Sequence, residues 1–169
     1  KLSFTITSVG YSKKIVYRNK ALINDDIYVT GVLGDSYMGL QILKNKIKVS
    51  KEIKKYFTQK YYLPDLRIKL TKKLLNFANT SIDLSDGLVD DLAKMINNQN
   101  LSFSLRENKI PISKNLLKII KMKNMKKIKL VSNGDDYQIL FTASKDKSRI
   151  IAQTSKNLGI KISKIGKIC

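Results

Sequence analysis

The sequence predicts a single α+β layered domain, and three observations lead there. Short β-branched and aromatic runs bounded by turn residues alternate irregularly with segments whose apolar residues recur at helical spacing. A length of 169 residues suits one cored domain better than two. A content of 43% hydrophobic and 27% charged residues is that of a folding chain rather than a disordered one. No internal repeat, low-complexity tract or long linker breaks the order.

The elements follow in sequence. "LSFTITSVG" (2–10) reads as a strand stopped by Gly10, and a chain that begins inside a strand has the look of a piece of something longer. "DDIYVTGVLG" (25–34) is a second strand ending in glycines, and "DSYMGLQILKN" after it is an amphipathic helix with Asp35 as candidate N-cap. "SKEIKKYFTQKYY" (50–62) is a short helix and "LPDLRIKLTKKLLNFA" (63–78) a longer one with Pro64 near its start. "TSIDL" (80–84) is a short buried strand. "DGLVDDLAKMINNQN" (86–100) is a helix, since Leu88, Leu92 and Met95 or Ile96 fall on one face. "LSFSL" (101–105) is a strand, and "SKNLLKIIKMK" (113–123) a helix preceded by Pro111 and capped by Ser113. "YQILFTA" (137–143), the helix 145–159 stopped by Gly159, and the alternating strand "IKISKIGKI" (160–168) complete the chain.

Composition narrows the chemistry. The chain has no histidine, and its single cysteine is the last residue, Cys169. Ser-His-Asp and Cys-His catalysis, disulfide frameworks and ordinary zinc sites are therefore excluded within it. Carboxylates and hydroxyls for hard cations remain, together with Lys and Arg for phosphates. The formal net charge is +20, but the lysines are spread along the chain among many Ile and Asn, which favours a compositional bias over a dedicated nucleic-acid face. The densest basic stretch, "KIIKMKNMKKIK" (118–129), reads as a solvated helix end and loop. No apolar run approaches the roughly 20 residues that cross a bilayer, and the first residues are too polar for a signal peptide, so a cytoplasmic location is expected.

Against that basic background two acidic knots stand out. "IDLSDGLVDD" (82–91) gathers Asp83, Ser85, Asp86, Asp90 and Asp91 at a strand-to-helix junction. Ser85 or Asp86 can cap the helix, and Asp90 and Asp91 suit its positive end. Asp83 is left over: a carboxylate in a short apolar strand beside a second carboxylate carries a desolvation and repulsion penalty unless a cation such as Mg²⁺ compensates. Helix cap and metal site both stay open. The second knot, "SNGDDYQILF" (132–141), places Asp135 and Asp136 after an Asn133-Gly134 turn and before a strand. "TGVLGDSYMGL" (30–40) is a weak match to a phosphate loop, because it lacks a Lys-Ser/Thr after the glycines and offers Asp35 where an anion would sit.

Together "IDLSDGLVDDLAKM", "NGDDYQILFT" and "NDDIYVTGVLGDSYMGLQIL" resemble the thiamine-phosphate kinases of the aminoimidazole-ribotide-synthetase superfamily along nearly the whole chain. The resemblance implies the C-terminal domain of that superfamily, a mainly antiparallel sheet packed by helices, over residues 25–169. Residues 1–24 become the last strand and connector of an N-terminal domain whose remainder is absent. The implied reaction is Mg²⁺-dependent transfer of the ATP γ-phosphate to thiamine phosphate, giving thiamine diphosphate. Residue by residue the resemblance puts Asp83 and Asp86 on Mg²⁺, Ser85 and Arg18 on ATP, and Asp135 on the thiamine phosphate; it assigns no catalytic side chain. Asn133 and Gln138 depart from the family pattern, which has glycine and glutamate there. Thiamine phosphate and ATP are the implied partners, with a separate N-terminal half and a homodimer as further ones. A non-catalytic remnant or regulatory domain is the alternative, or a basic RNA-binding module stacking bases on Tyr56, Phe57, Tyr61 and Tyr62.

Overall fold

In the computed structural model, which describes residues 2–169, five strands form one antiparallel sheet in the order β2-β4-β1-β5-β3. The strands are β1 (Asp26–Thr30), β2 (Thr80–Asp83), β3 (Phe103–Leu105), β4 (Ile139–Ala143) and β5 (Ile162–Ile168). The helices are α1 (Asp35–Leu43), α2 (Lys51–Tyr62), α3 (Ile68–Leu74), α4 (Leu88–Met95), α5 (Lys114–Lys123), α6 (Lys127–Val131) and α7 (Ser148–Leu158). The α+β class and the helix-covered antiparallel sheet expected from the sequence are therefore both present.

Alternation along β1 sorts the core. Ile27 and Val29 pack on one face with Ile82, Leu140 and Ile165 beneath Leu88, Leu92 and Met95 of α4. Tyr28 points to the other face and stacks on Phe141 at 5.3 Å, against Leu70 and Leu74 of α3 and Ile151 of α7. A third cluster joins α1, α2, α5 and α6 through Met38, Ile42, Phe57, Leu116, Ile119 and Leu130.

Several local expectations change. The predicted strand 2–10 joins no sheet among the described residues, and Leu2, Phe4, Ile6 and Val9 lie 81–90% exposed. Its alternation has no partner strand to satisfy it. Lys1, the first residue of the 1–24 segment, lies outside the described residues. The helix predicted over 63–78 is confined to α3, since its first residues stay extended around Pro64. Within the basic stretch 118–129, Asn124 ends α5 in the left-handed conformation and α6 then begins a new helix.

Asp35 is not the N-cap of α1. Gly34 holds that position with φ 83°, and the carboxylate of Asp136 accepts from the Gly34 N–H at 2.7 Å. Asp35 is buried instead, accepting from Ser113 Oγ and Tyr56 Oη, each at 2.7 Å, and so ties α1 to α2 and α5.

Candidate active site

The two acidic knots, some fifty residues apart in sequence, are bonded to each other through their backbones. Past the last β2-β4 pair the Leu84 N–H donates to Gln138 O at 2.9 Å, Tyr137 N–H to Leu84 O at 2.8 Å, and Asp135 N–H to Ser85 O at 2.9 Å. Small residues allow this approach. A Cβ on Gly134 would lie 1.7 Å from Ser85 O, and one on Gly87 would lie 2.4 Å from Ser132 O. Asp135 and Tyr137 adopt positive φ of 67° and 49°, a conformation that non-glycine residues rarely hold and that concentrates at functional sites. The sequence placed the left-handed turn at Asn133 and Gly134; it falls one or more residues later, because Gly134 is used for contact with Ser85.

Asp83 ends the edge strand β2 and is exposed, so the desolvation penalty expected for it is absent. Ser85 is half-buried and Asp86 exposed on the loop that follows. Neither caps α4: Gly87 holds the N-cap position with no side-chain hydrogen bond, and Asp91, inside the helix, reaches back with its buried Oδ2 to accept from the N–H groups of Asp86 at 2.9 Å and Gly87 at 3.1 Å. The sequence placed Asp90 and Asp91 alike at the helix's positive end; Asp91 is buried there and Asp90 exposed. Lys94, one helical turn on, donates to Asp91 Oδ1 at 3.0 Å and to Asp86 Oδ2, and the two carboxylates hold its ammonium above the ordinary lysine range. The sequence reading missed Asp91 and Lys94 as parts of the loop, although their i, i+3 spacing was visible.

Arg18 is brought to the free edge of β2 by its connector. The carbonyl of Tyr17 accepts from Thr80 Oγ1 at 2.8 Å and from the Ser81 N–H at 3.3 Å, laying the connector along the free edge of β2. Arg18 and Asp83 then line one open cavity of about 510 Å³, together with Lys14, Thr71, Lys72 and Ser81. Ser85, Asp86 and Asp135 do not line that cavity; they lie in the paired loops beyond the strand ends.

The donor chemistry suits Mg²⁺. Asp83 and Asp86 offer exposed carboxylate oxygens, and one of them already holds a cation, the Lys94 ammonium. Among the described residues no group of three or more His, Cys, Asp or Glu side chains is placed to hold a metal by itself. A magnesium ion bound here would complete its shell with water and phosphate oxygens, as that ion commonly does.

Beneath the second knot, burial pushes the Asp136 carboxyl up to about 7; the Gly34 and Ser36 N–H groups oppose the rise, and Asp35 and Asp135 add to it. The unfolded side chain ionises near 3.8 while the folded one keeps its proton to about 7, so the folded state binds more protons between those values. Stability therefore falls as pH rises through that window, by up to about 4 kcal/mol, and levels off above it. Urea unfolding at pH 5 and pH 8 measures this: Asp136→Asn will lose less stability than the parent chain across the interval, and an equal loss in both would contradict the assignment.

No protein-family model matches the chain. A thiamine-monophosphate kinase of Buchnera aphidicola from Acyrthosiphon pisum is 40% identical over 156 residues, covering 89% of this chain and 48% of that protein. The Haemophilus influenzae thiamine-monophosphate kinase is 35% identical over 170 residues, covering 99% of this chain and 51% of that protein. Among solved structures, the thiamine-monophosphate kinase of Stenotrophomonas maltophilia K279a superposes with TM-score 0.82 at 26% identity, over 91% of this chain and 50% of that one. AaThiL complexed with AMPPCP and TMP superposes with TM-score 0.77 at 28% identity, over 90% of this chain and 47% of that one.

The fold is thus that of an aminoimidazole-ribotide-synthetase-like domain, as in these solved neighbours. Within that class the chain is a relative of the thiamine-monophosphate kinases, consistent with their C-terminal portion. No helix is long and apolar enough to cross a membrane among the described residues. The chain spans about half the length of the curated relatives it matches.

Proposed function

We propose that these 169 residues supply one wall of a kinase site that transfers the γ-phosphoryl group of ATP to thiamine phosphate, giving thiamine diphosphate. The observation that carries the reading is the backbone pairing of the 84–87 and 132–137 loops, which sets Ser85 and Asp86 beside Asp135. In this reading Asp83 and Asp86 hold Mg²⁺, Ser85 and Arg18 bind ATP, and Asp135 orients the thiamine phosphate. Magnesium, when bound, neutralises phosphate charge between the two substrates. Arg18 presents a planar fork of donors toward phosphate oxygens, and the rigid loop pair fixes the carboxylates in advance of binding. The solved complex of AaThiL with AMPPCP and TMP supports a nucleotide and a second ligand in this type of site.

Phosphoryl transfer is mostly positioning and charge neutralisation, so one wall alone is a poor catalyst. In this reading the segment before β1 connects this wall to the other, an N-terminal half contributed by the same or a separate chain. The test mixes the purified 169 residues with Mg²⁺, ATP and thiamine phosphate, with and without the N-terminal half of a thiamine-monophosphate kinase. Thiamine diphosphate forms only in the mixture, and Mg²⁺-dependent nucleotide binding is lost in Asp86→Ala. Robust turnover by the 169 residues alone, or steeply salt-dependent RNA binding untouched by changing Asp83 and Asp86, would refute it.

A further inference from the structure

The Asp86 loop contains a cation of its own. Lys94 Nζ is anchored at 3.0 Å on Asp91 Oδ1, whose carboxylate is buried and already committed to two backbone N–H groups through Oδ2. From that anchor the ammonium reaches Asp86 Oδ2, on a side chain that is 61% exposed. Asp91 cannot follow the lysine elsewhere; Asp86 can let it go. A carboxylate that gives one oxygen to an ammonium has a weaker claim on a metal ion, and an ammonium displaced only slightly still repels it.

We propose that Lys94 is a tethered counter-cation that competes with the divalent metal ion for Asp86 and so sets the metal concentration at which this side of the site fills. The proposal rests on the reading of Asp86 as a metal ligand. Without metal, Lys94 offsets half the combined charge of Asp86 and Asp91 and bridges the two carboxylates, easing their mutual repulsion. With metal, it stays on Asp91 as a positioning residue and withdraws from Asp86. A purely structural staple behaves differently: removing it weakens the fold and leaves metal affinity unchanged or lower.

Mn²⁺ serves as the probe, counted by loss of its free paramagnetic resonance signal on the 169-residue chain without nucleotide or turnover. Lys94→Met will bind Mn²⁺ about threefold to tenfold more tightly than the parent, the size expected for removing one nearby positive charge at the surface. Lys94→Arg, which keeps charge and reach, will stay near the parent value, and circular dichroism will show all variants folded. Equal or weaker binding by Lys94→Met, with parent binding still dependent on Asp86, would overturn this proposal alone. Parent binding that is absent or survives Asp86→Asn would remove the metal role of Asp86 and the proposal with it.

Discussion

Asp86→Asn will slow thiamine diphosphate formation by the complemented enzyme about 10²- to 10³-fold, the usual cost of removing one preorganised charge from a phosphoryl-transfer site. The substitution keeps the shape and one acceptor oxygen, and Asp86 is exposed, so the fold will be little affected. What is lost is negative charge at the loop that Ser85 and Asp135 share. Raising Mg²⁺ will recover part of the rate. Asp90→Asn, four residues away and facing solvent, is the control and will stay within about twofold. Steady-state rates across a magnesium titration decide the matter; an unchanged rate in Asp86→Asn would exclude Asp86 from the site.

Gly134→Ala will cost about 3 kcal/mol of stability, a large loss for a single methyl group. The added Cβ meets Ser85 O at 1.7 Å, Ser85 C at 2.4 Å and Asp86 Cα at 2.8 Å, all backbone atoms of a loop held from behind by Asp91. No side chain can swing away, so the loops must part and give up the Asp135-Ser85 and Tyr137-Leu84 hydrogen bonds. The thermal midpoint will fall by roughly 10 °C. Gly159→Ala is the comparison: Gly159 has φ 62° but nothing within 4 Å of the added carbon, so only conformational strain of about 1 kcal/mol applies. Similar losses at both positions would mean that the close approach at Gly134 is not what fixes the loops.

Much of the fold was legible because the signals were local. Helical spacing of Leu88, Leu92 and Met95, the Ser113 cap, and alternation in β5 each depend on neighbours a few residues away. The two acidic knots that the fold pairs were legible in composition, since carboxylates in so basic a chain are conspicuous. What escaped the sequence was non-local. Asp136 caps a helix a hundred residues before it, Asp91 turns inward because the loop offers two free N–H groups, and Asp83 is exposed because β2 lies at an edge. The apolar 2–10 segment failed as a strand for a related reason, since alternation states a capacity to pair and not the presence of a partner.

The connector's hold on β2 has a consequence for how this chain tolerates mutation. Its key acceptor is a main-chain carbonyl, that of Tyr17, so the side chain at that position is free to drift without releasing Arg18 from the sheet edge. Of its two donors, one is the Thr80 hydroxyl and the other the Ser81 main-chain N–H, so serine at position 80 keeps both and alanine still keeps one. The connector's hold on β2 thus runs largely through the backbone rather than through the side chains around Arg18.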